Sequence, residues 1–251
     1  MSKGKITLTS IRQFVSRFRF DRQVEDSRNG VARSIWPRKQ PDDAITTAKS
    51  LSTPQNVRMS VEVHSPFISI VPLGMRPSDI QGLEQAIART FQVSTQIAPA
   101  LPSSFAFDSS RNQYNSTSIL TRLLENPPEG IFKILGVTNV DLFIPILTFV
   151  FGEAQLNGLA AVVSTYRMRN EFYGLPKDEK VLQSRFIKEA VHEIGHTFGL
   201  SHCSDDACVM HISTYAEEID LKSDAFCTSC DEFITAVLSD KKRDAGAVGE
   251  T

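Results

Sequence analysis

The stretch HEIGHTFGLSHCSDDACVMHISTYAEEIDLKSDAFCTSC, from His192 to Cys230, decides the fold of this chain. It contains four of the five histidines and all four cysteines among 251 residues. Imidazole and thiolate groups are the usual protein ligands of zinc, so this density of both predicts metal binding. The spacing within the stretch indicates how many ions it holds and what each ion does.

The first candidate site is the pattern H-E-x-x-H-x-x-G-x-x-H. His192 and His196 are four residues apart, so on a helix they share one face and can hold one zinc ion. Glu193 is then placed to activate a zinc-bound water. Gly199 can end the helix in the left-handed conformation, after which the chain can fold back and offer His202 as the third ligand. Three protein ligands leave one coordination position of the zinc open, as in a catalytic site. The alternative interpretation of the pattern is a helix with two surface histidines and no metal.

The second candidate site consists of two thiolate pairs, Cys203-x₄-Cys208 and Cys227-x₂-Cys230. Together they can close a tetrahedral Cys₄ site around a structural zinc. The alternatives are a redox C-x-x-C at the second pair, or two disulfides. Because Cys203 directly follows His202, two separate ions fit better than one shared ion. The prediction is two Zn²⁺ per chain, one catalytic and one structural.

Composition narrows the class of protein. Hydrophobic residues make up 41% and charged residues 22%, which is ordinary for a globular protein. A net charge of −2 argues against nucleic acid as a partner. No apolar run is long enough to cross a bilayer, and the start of the chain lacks the pattern of a secretory signal. We therefore expect a cytoplasmic protein with reduced thiols, and we favour a monomer.

Basic residues are concentrated in the first part of the chain. Residues 1–50 contain 11 Lys and Arg against 5 Asp and Glu, and apolar residues recur there at helical spacing among arginines. The segment 1–55 is predicted to be a basic, disordered extension; the alternatives are an organelle-targeting segment or an electrostatic contact with a partner. The prediction places the folded domain at 56–240 and a frayed tail at 241–251.

Hydrophobic periodicity predicts interleaved strands and helices, hence an α/β or α+β class. Ser78 and Gln81 resemble a capping box at the start of one helix. The predicted strands are 57–63, where apolar and polar residues alternate, then Phe67–Gly74, Ile131–Val137, Ile146–Gly152 and Leu159–Thr165; the predicted helices are 78–91, 115–125 and 180–198.

The pattern H-E-x-x-H-x-x-G-x₃-C-x₄-C-x-M…C-x-x-C resembles the archaemetzincin family of metzincin-type metallopeptidases. The resemblance spans about residues 66–238. It implies a compact α/β domain with a mixed, twisted sheet, an active-site helix and a C-terminal helix, and it makes Met210 the methionine of the Met-turn. Other runs that carry it are Ile70–Gly74, Arg111–Ser116, Gly136–Phe143, Phe149–Ala154 and Val163–Met168.

The resulting hypothesis is a zinc-dependent peptidase in which Glu193 moves the proton of the attacking water. Peptides or proteins are the expected substrates, with an aminopeptidase-like preference for short peptides left open. Ile146–Gly152 is the candidate edge strand for an extended peptide. His211 is interpreted as a solvated or outer residue rather than an oxyanion donor, and His64 as a surface residue. The alternatives are a zinc-stabilised binding protein with a vestigial site, or a hydrolase of non-peptide substrates.

Overall fold

The computed structural model describes residues 66–125, 127 and 130–247, with side chains described as far as Asp240. The basic segment 1–55, His64 and the strand predicted at 57–63 lie outside these residues. In the described part of the chain the helices are α1 (Leu83–Phe91), α2 (Ser116–Leu123), α3 (Glu179–Thr197), α4 (Ala216–Leu221) and α5 (Thr228–Ala247). The strands are β1 (Phe67–Leu73), β2 (Ser94–Ile97), β3 (Phe107–Asp108), β4 (Gln113–Asn115), β5 (Ile131–Thr138), β6 (Leu142–Phe143), β7 (Gly152–Ala154) and β8 (Ala160–Ser164).

The main sheet has the strand order β2-β1-β5-β8-β7. Its first four strands run parallel, and β7 pairs antiparallel with β8 at one edge. Strands β1, β5 and β8 are apolar and almost wholly buried, because helices cover both faces of a largely parallel sheet. The mixed sheet and its helices confirm the predicted α/β class.

Two hydrophobic clusters fill the two faces of this sheet. The larger one includes apolar side chains of α1, α3 and α5 and surrounds the face that carries the histidine motif. The smaller one lies on the opposite face, where α2 packs over β5 and β8. A second small sheet, in the order β3-β4-β6, stands beside it. The long helix α3 is therefore held between the sheet and the C-terminal part of the chain.

Five sequence predictions correspond to observed elements. The strands predicted at Phe67–Gly74, Ile131–Val137 and Leu159–Thr165 are β1, β5 and β8, and the helices predicted at 115–125 and 180–198 are α2 and α3. These predictions are confirmed. They succeed because each segment combines a clear apolar pattern with a suitable stop signal. In α2, for example, the Asn115 side chain caps the helix by accepting from the Ser118 N–H.

The helix predicted over 78–91 starts later than expected. A 3₁₀ turn occupies Pro77–Ile80, Gly82 adopts a φ of 83°, and α1 begins only after that residue. An α-helix cannot continue through a residue with positive φ, so the two helical pieces stay separate. The capping box predicted from Ser78 and Gln81 is therefore wrong.

The strand predicted over Ile146–Gly152 is also wrong. Pro145 lies inside a turn that the Leu147 N–H closes by donating to the Ile144 carbonyl. Proline is favoured at such a position because its ring presets φ, and the turn prevents the apolar residues after it from extending. The edge strand of the sheet is β7, which shares only Gly152 with the predicted strand.

The segment 241–251, predicted to be a frayed tail, overlaps the end of the last helix. Helix α5 runs from Thr228 to Ala247, so its backbone extends well into the segment 241–251. Among the residues that the structure describes, no helix is both long and apolar enough to span a bilayer.

Candidate active site

Helix α3 is defined sharply at both ends. The Asp178 side chain accepts hydrogen bonds from the N–H groups of Lys180 and Val181, which caps the first turn. At the other end Gly199 has a φ of 106°, and the N–H groups of Gly199 and Leu200 donate to the carbonyls of His196 and Gly195. This pair of bonds is the Schellman ending, which reverses the chain direction at the glycine. The residues after it return beside the helix.

That reversal brings three imidazoles together. The Nε2 atoms of His192 and His196 lie 3.1 Å apart, and His202 stacks on His192 with ring centroids 5.3 Å apart. One nitrogen from each ring lies within 4.8 Å of one from each of the others. His192 is buried and His202 is exposed, so the cluster reaches from the interior to the surface.

Two backbone carbonyls orient the helical histidines. Nδ1 of His192 lies 2.9 Å from the Val209 carbonyl oxygen, and Nδ1 of His196 lies 2.7 Å from that of Leu200. A carbonyl oxygen can only accept, so both Nδ1 atoms carry the proton and both Nε2 lone pairs remain available. This outer hydrogen bond is the usual partner of a metal-binding histidine.

The electrostatics of the cluster favour neutral imidazoles. Burial lowers the pKa of His192 well below its ordinary value, and the neighbouring charges of His196 and Lys222 act in the same direction. Burial also lowers the pKa of His196, and it lowers that of His202 to about 4. Neutral imidazole is the form that binds a metal ion, so these side chains are prepared for one at neutral pH.

Glu193 follows His192 on the helix and is only 6% exposed. It packs against the edge strand, where a Cβ atom added to Gly152 would lie 2.5 Å from its Oε1. Burial raises the pKa of Glu193 well above its ordinary value, and the negative charges of Glu189 and Glu153 raise it further. A carboxyl group with a raised pKa can both accept and return a proton near neutral pH.

Met210 forms the floor of the cluster. Its side chain is fully buried, and a Cβ atom added to Gly195 would lie 2.6 Å from its sulfur. A larger residue at position 195, between the two histidines of the helix, would therefore force the Met210 side chain to shift. The methionine that the resemblance makes that of the Met-turn therefore packs against α3 between His192 and His196.

The methyl group that Gly195→Ala adds would overlap the Met210 sulfur in a packed core, which costs about 1–3 kcal/mol. Alanine gains about 1 kcal/mol over glycine inside a helix, so we expect a net destabilisation of up to about 2 kcal/mol. Urea denaturation of zinc-loaded wild type and variant measures the difference. A variant at least as stable as wild type would show that Met210 can move aside freely.

The four cysteines form a second cluster. Their sulfur atoms all lie within 4.8 Å of one another, and those of Cys203 and Cys227 are 3.7 Å apart. None forms a disulfide. Backbone N–H groups point at the sulfurs: those of Met210 and Cys227 lie 3.4 Å and 3.3 Å from the Cys208 Sγ. Such donors stabilise thiolates rather than neutral thiols.

The second cysteine pair begins helix α5. The N–H of Cys230 holds the pKa of Cys227 below its ordinary value, whereas burial raises the pKa of Cys208 and of Cys230. A C-x-x-C at a helix start is also the position of a redox pair. Here, however, the other two sulfurs complete a four-sulfur cage, which a two-thiol redox site does not need.

Both clusters fit zinc. A tetrahedral ion with Zn–S near 2.3 Å holds its sulfurs about 3.8 Å apart, and one with Zn–N near 2.0 Å holds its nitrogens about 3.3 Å apart. The sulfurs of Cys203 and Cys227, 3.7 Å apart, and the Nε2 atoms of His192 and His196, 3.1 Å apart, match these separations. The histidine set offers three ligands and would leave one coordination position of a tetrahedral ion open. The thiolate set offers four ligands.

Several residues around the site were not identified from sequence. Gly152 packs on Glu193, and Lys222 forms a buried ion pair with Glu189, one turn before Glu193 on α3. The four-residue spacing of the two glutamates was the available signal, but it did not reveal the partner lysine. His211 is half-buried, with its Nδ1 3.1 Å from the Cys203 carbonyl oxygen, which agrees with an outer position.

A histidine cluster on a helix that packs against a mixed sheet, with a buried methionine in contact with that helix, is typical of the metzincin class of zinc metallopeptidases. Residues 103–236 match Peptidase family M54. The archaemetzincin of Methanocaldococcus jannaschii is 48% identical over 126 residues, which cover 50% of this chain and 68% of that protein. This chain belongs to peptidase family M54, the archaemetzincins, and is a zinc-dependent metallopeptidase.

Solved structures agree with this assignment. The crystal structure of archaemetzincin from Archaeoglobus fulgidus, complexed with malonate, is 38% identical in sequence and superposes with a TM-score of 0.59. It covers 66% of this chain and 99% of its own. A zinc-dependent peptidase from Methanocorpusculum labreanum is 30% identical, with a TM-score of 0.60 and the same coverages. The predicted fold and family are therefore confirmed.

Proposed function

We propose that His192, His196 and His202 hold the catalytic zinc of this peptidase and that Glu193 is its catalytic base. We further propose that Cys203, Cys208, Cys227 and Cys230 hold a second, structural zinc, so that the chain carries two ions. The observation that carries the first assignment is the orientation of the two helical imidazoles. Each has its Nδ1 against a carbonyl and its Nε2 3.1 Å from that of the other ring, and a ring nitrogen of His202 lies within 4.8 Å.

When bound at the three imidazoles, zinc supplies Lewis acidity that polarises the scissile carbonyl and lowers the pKa of water. Glu193 takes one proton from the water that attacks the carbonyl carbon, so a C–O bond forms as the carboxylate becomes a carboxylic acid. It then returns that proton to the amide nitrogen, and the C–N bond breaks to release an amine. The raised pKa of Glu193 suits the first step, since it makes the carboxylate a stronger base than an ordinary glutamate.

The position of Glu193 also indicates where a peptide would lie. Strand β7 is the last strand of the main sheet, and its Gly152 contacts Glu193. An extended peptide that pairs with the free side of β7 would pass beside the histidine cluster. Backbone pairing reads no side chains, so it suits peptide or protein substrates of varied sequence. The four free thiols also suit a reducing compartment such as the cytoplasm.

Metal content tests the two-ion proposal. Protein purified under reducing conditions is expected to contain two zinc ions per chain by elemental analysis. His202→Ala removes one of three imidazoles without touching the thiolates, so this variant is expected to keep one tightly bound ion after brief treatment with a chelator.

A matched variant completes the experiment. His211→Ala removes a histidine from the same loop that lies outside the proposed ligand sets, and it is expected to keep both ions. A wild-type protein with a single tightly held ion would contradict the proposal. So would a His202→Ala variant that keeps both ions as tightly as wild type.

A further inference from the structure

Three consecutive carbonyl groups under the histidine cluster each accept a hydrogen bond from a different part of the molecule. The Val209 carbonyl accepts from His192 on α3, at 2.9 Å. The Met210 carbonyl accepts from the N–H of Cys203, at 2.9 Å, beside the third imidazole. The His211 carbonyl accepts from the Lys222 ammonium, at 3.0 Å. The segment Val209–His211 is thus tied to the helix, to the loop of His202 and to Lys222.

Lys222 is buried deeply for a lysine, with its side chain 1% exposed. Its Nζ lies 2.7 Å from Oε1 of Glu189, whose side chain is 5% exposed. A buried ion pair gives little net stability, because the cost of removing both charges from water offsets their attraction. The pair is therefore poorly explained by stability alone, whereas its location offers another explanation.

Glu189 lies on α3, three residues before His192 and four before Glu193, so all three occupy neighbouring faces of two helical turns. Lys222 joins this carboxylate to the His211 carbonyl and so connects the helix to Val209–His211, which we call the Met-turn segment. The same segment supplies the Val209 carbonyl that orients His192. Because His211 is only two residues from Val209 along the backbone, a displacement of His211 would also move the Val209 carbonyl.

We propose that Lys222 and Glu189 form a positioning pair that holds the segment Val209–His211 against α3 and thereby keeps His192 and His202 in metal-binding geometry. The inference rests on the assignment of these histidines as zinc ligands. Outer partners that orient metal ligands change metal affinity or activity by about 10-fold to 100-fold when removed. Neither residue of the pair belongs to the two proposed ligand sets, so its action on the metal sites is indirect.

A double variant tests the proposal without leaving a buried charge unpaired. Glu189→Met with Lys222→Met replaces both charges by apolar groups of similar length, a change that often leaves stability intact. We expect zinc affinity at the histidine site, measured by competition with a chelator, to fall about 10-fold to 100-fold. The value of kcat is expected to fall with it, while KM stays within about twofold because substrate contacts are unchanged.

The neighbouring pair of Arg185 and Asp220 provides the control. It also joins α3 to the end of α4, with Nη2 and Oδ2 2.5 Å apart, but it makes no bond to the Met-turn segment. Arg185→Met with Asp220→Asn is expected to change thermal stability while zinc affinity and kcat stay at wild-type values. A purely structural role for Lys222 and Glu189 would give the same result for both double variants, and that outcome overturns the proposal.

A milder variant guards against a double variant that does not fold. Glu189→Gln with Lys222→Gln removes both charges together and leaves two amides that can still hydrogen-bond, so it loses only the charge that strengthens this bond. We expect zinc affinity about 3-fold to 10-fold below wild type; an unchanged affinity overturns the proposal. If wild type and His202→Ala hold the same number of ions, the ligand assignment itself fails, and the inference falls with it.

Discussion

Glu193→Gln is expected to lower kcat for peptide hydrolysis by about 10³-fold, within the range that general acid–base groups contribute. Glutamine has the shape of glutamate but cannot accept the proton of the attacking water at neutral pH. The loss corresponds to about 4 kcal/mol of transition-state stabilisation. Because Glu193 lies outside the proposed ligand set, zinc content and KM are expected to stay close to wild type.

The experiment compares the variant with Glu179→Gln, which changes an exposed glutamate in the first turn of the same helix. That control is expected to keep full activity and both ions. Steady-state kinetics with a panel of peptides, together with elemental analysis of each sample, measures the outcome. Equal kcat in wild type and Glu193→Gln would remove Glu193 from the mechanism.

The same variant also tests the two alternatives that the sequence alone left open. A zinc-stabilised binding protein with a vestigial site would show no turnover in wild type and equal peptide binding in both proteins. A hydrolase of non-peptide substrates would show Glu193-dependent turnover only in a panel without peptide bonds. Membership of a peptidase family supports the peptide panel as the first choice. An aminopeptidase-like preference would appear there as cleavage confined to peptides with a free amino terminus.

Cys227→Ser is expected to release the thiolate-bound zinc and to lower the melting temperature by more than about 10 °C. Zinc bound at structural thiolate sites is worth about 10–16 kcal/mol in small zinc domains, which is comparable with the whole stability of a typical domain. The helix α5 begins at this site, and the loop that carries His202 ends in it. Release of the ion therefore frees both segments.

Ser229→Ala is the matched variant, since Ser229 is an exposed residue between the two cysteines of the second pair. It is expected to keep both ions and the wild-type melting temperature. Calorimetry in a reducing buffer, with zinc measured on the same samples, gives the comparison. A stable Cys227→Ser protein with two bound ions would contradict the four-thiolate assignment.

The sequence is informative where chemistry is local. Ligand spacing on a helix follows from 3.6 residues per turn, so the four-residue separation of His192 and His196 is enough to place both on one face. The roles of Gly199 and His202 are predictable from similarly local rules. A Schellman ending at Gly199 reverses the chain, and this brings His202 back beside the helix. The α/β class and the limits of β1, β5, β8, α2 and α3 are likewise predictable from uninterrupted apolar patterns.

Predictions fail where a single residue overrides a pattern. Pro145 sets a turn in an apolar run that otherwise resembles a strand, and Gly82 divides a run that otherwise resembles one helix. In both cases backbone conformation at one position outweighs the average of its neighbours. The edge strand beside Glu193 is therefore predicted too early in the chain.

Local spacing thus determines which side chains can bind metal, since helical periodicity and the glycine turn operate over a few residues. Contacts between distant segments determine how those side chains are held. The Val209 carbonyl that orients His192, the Gly152 that covers Glu193 and the Lys222 that pairs with Glu189 come from separate elements. No periodicity links such residues, because their proximity arises only when the sheet, helix α3 and the Met-turn segment pack together.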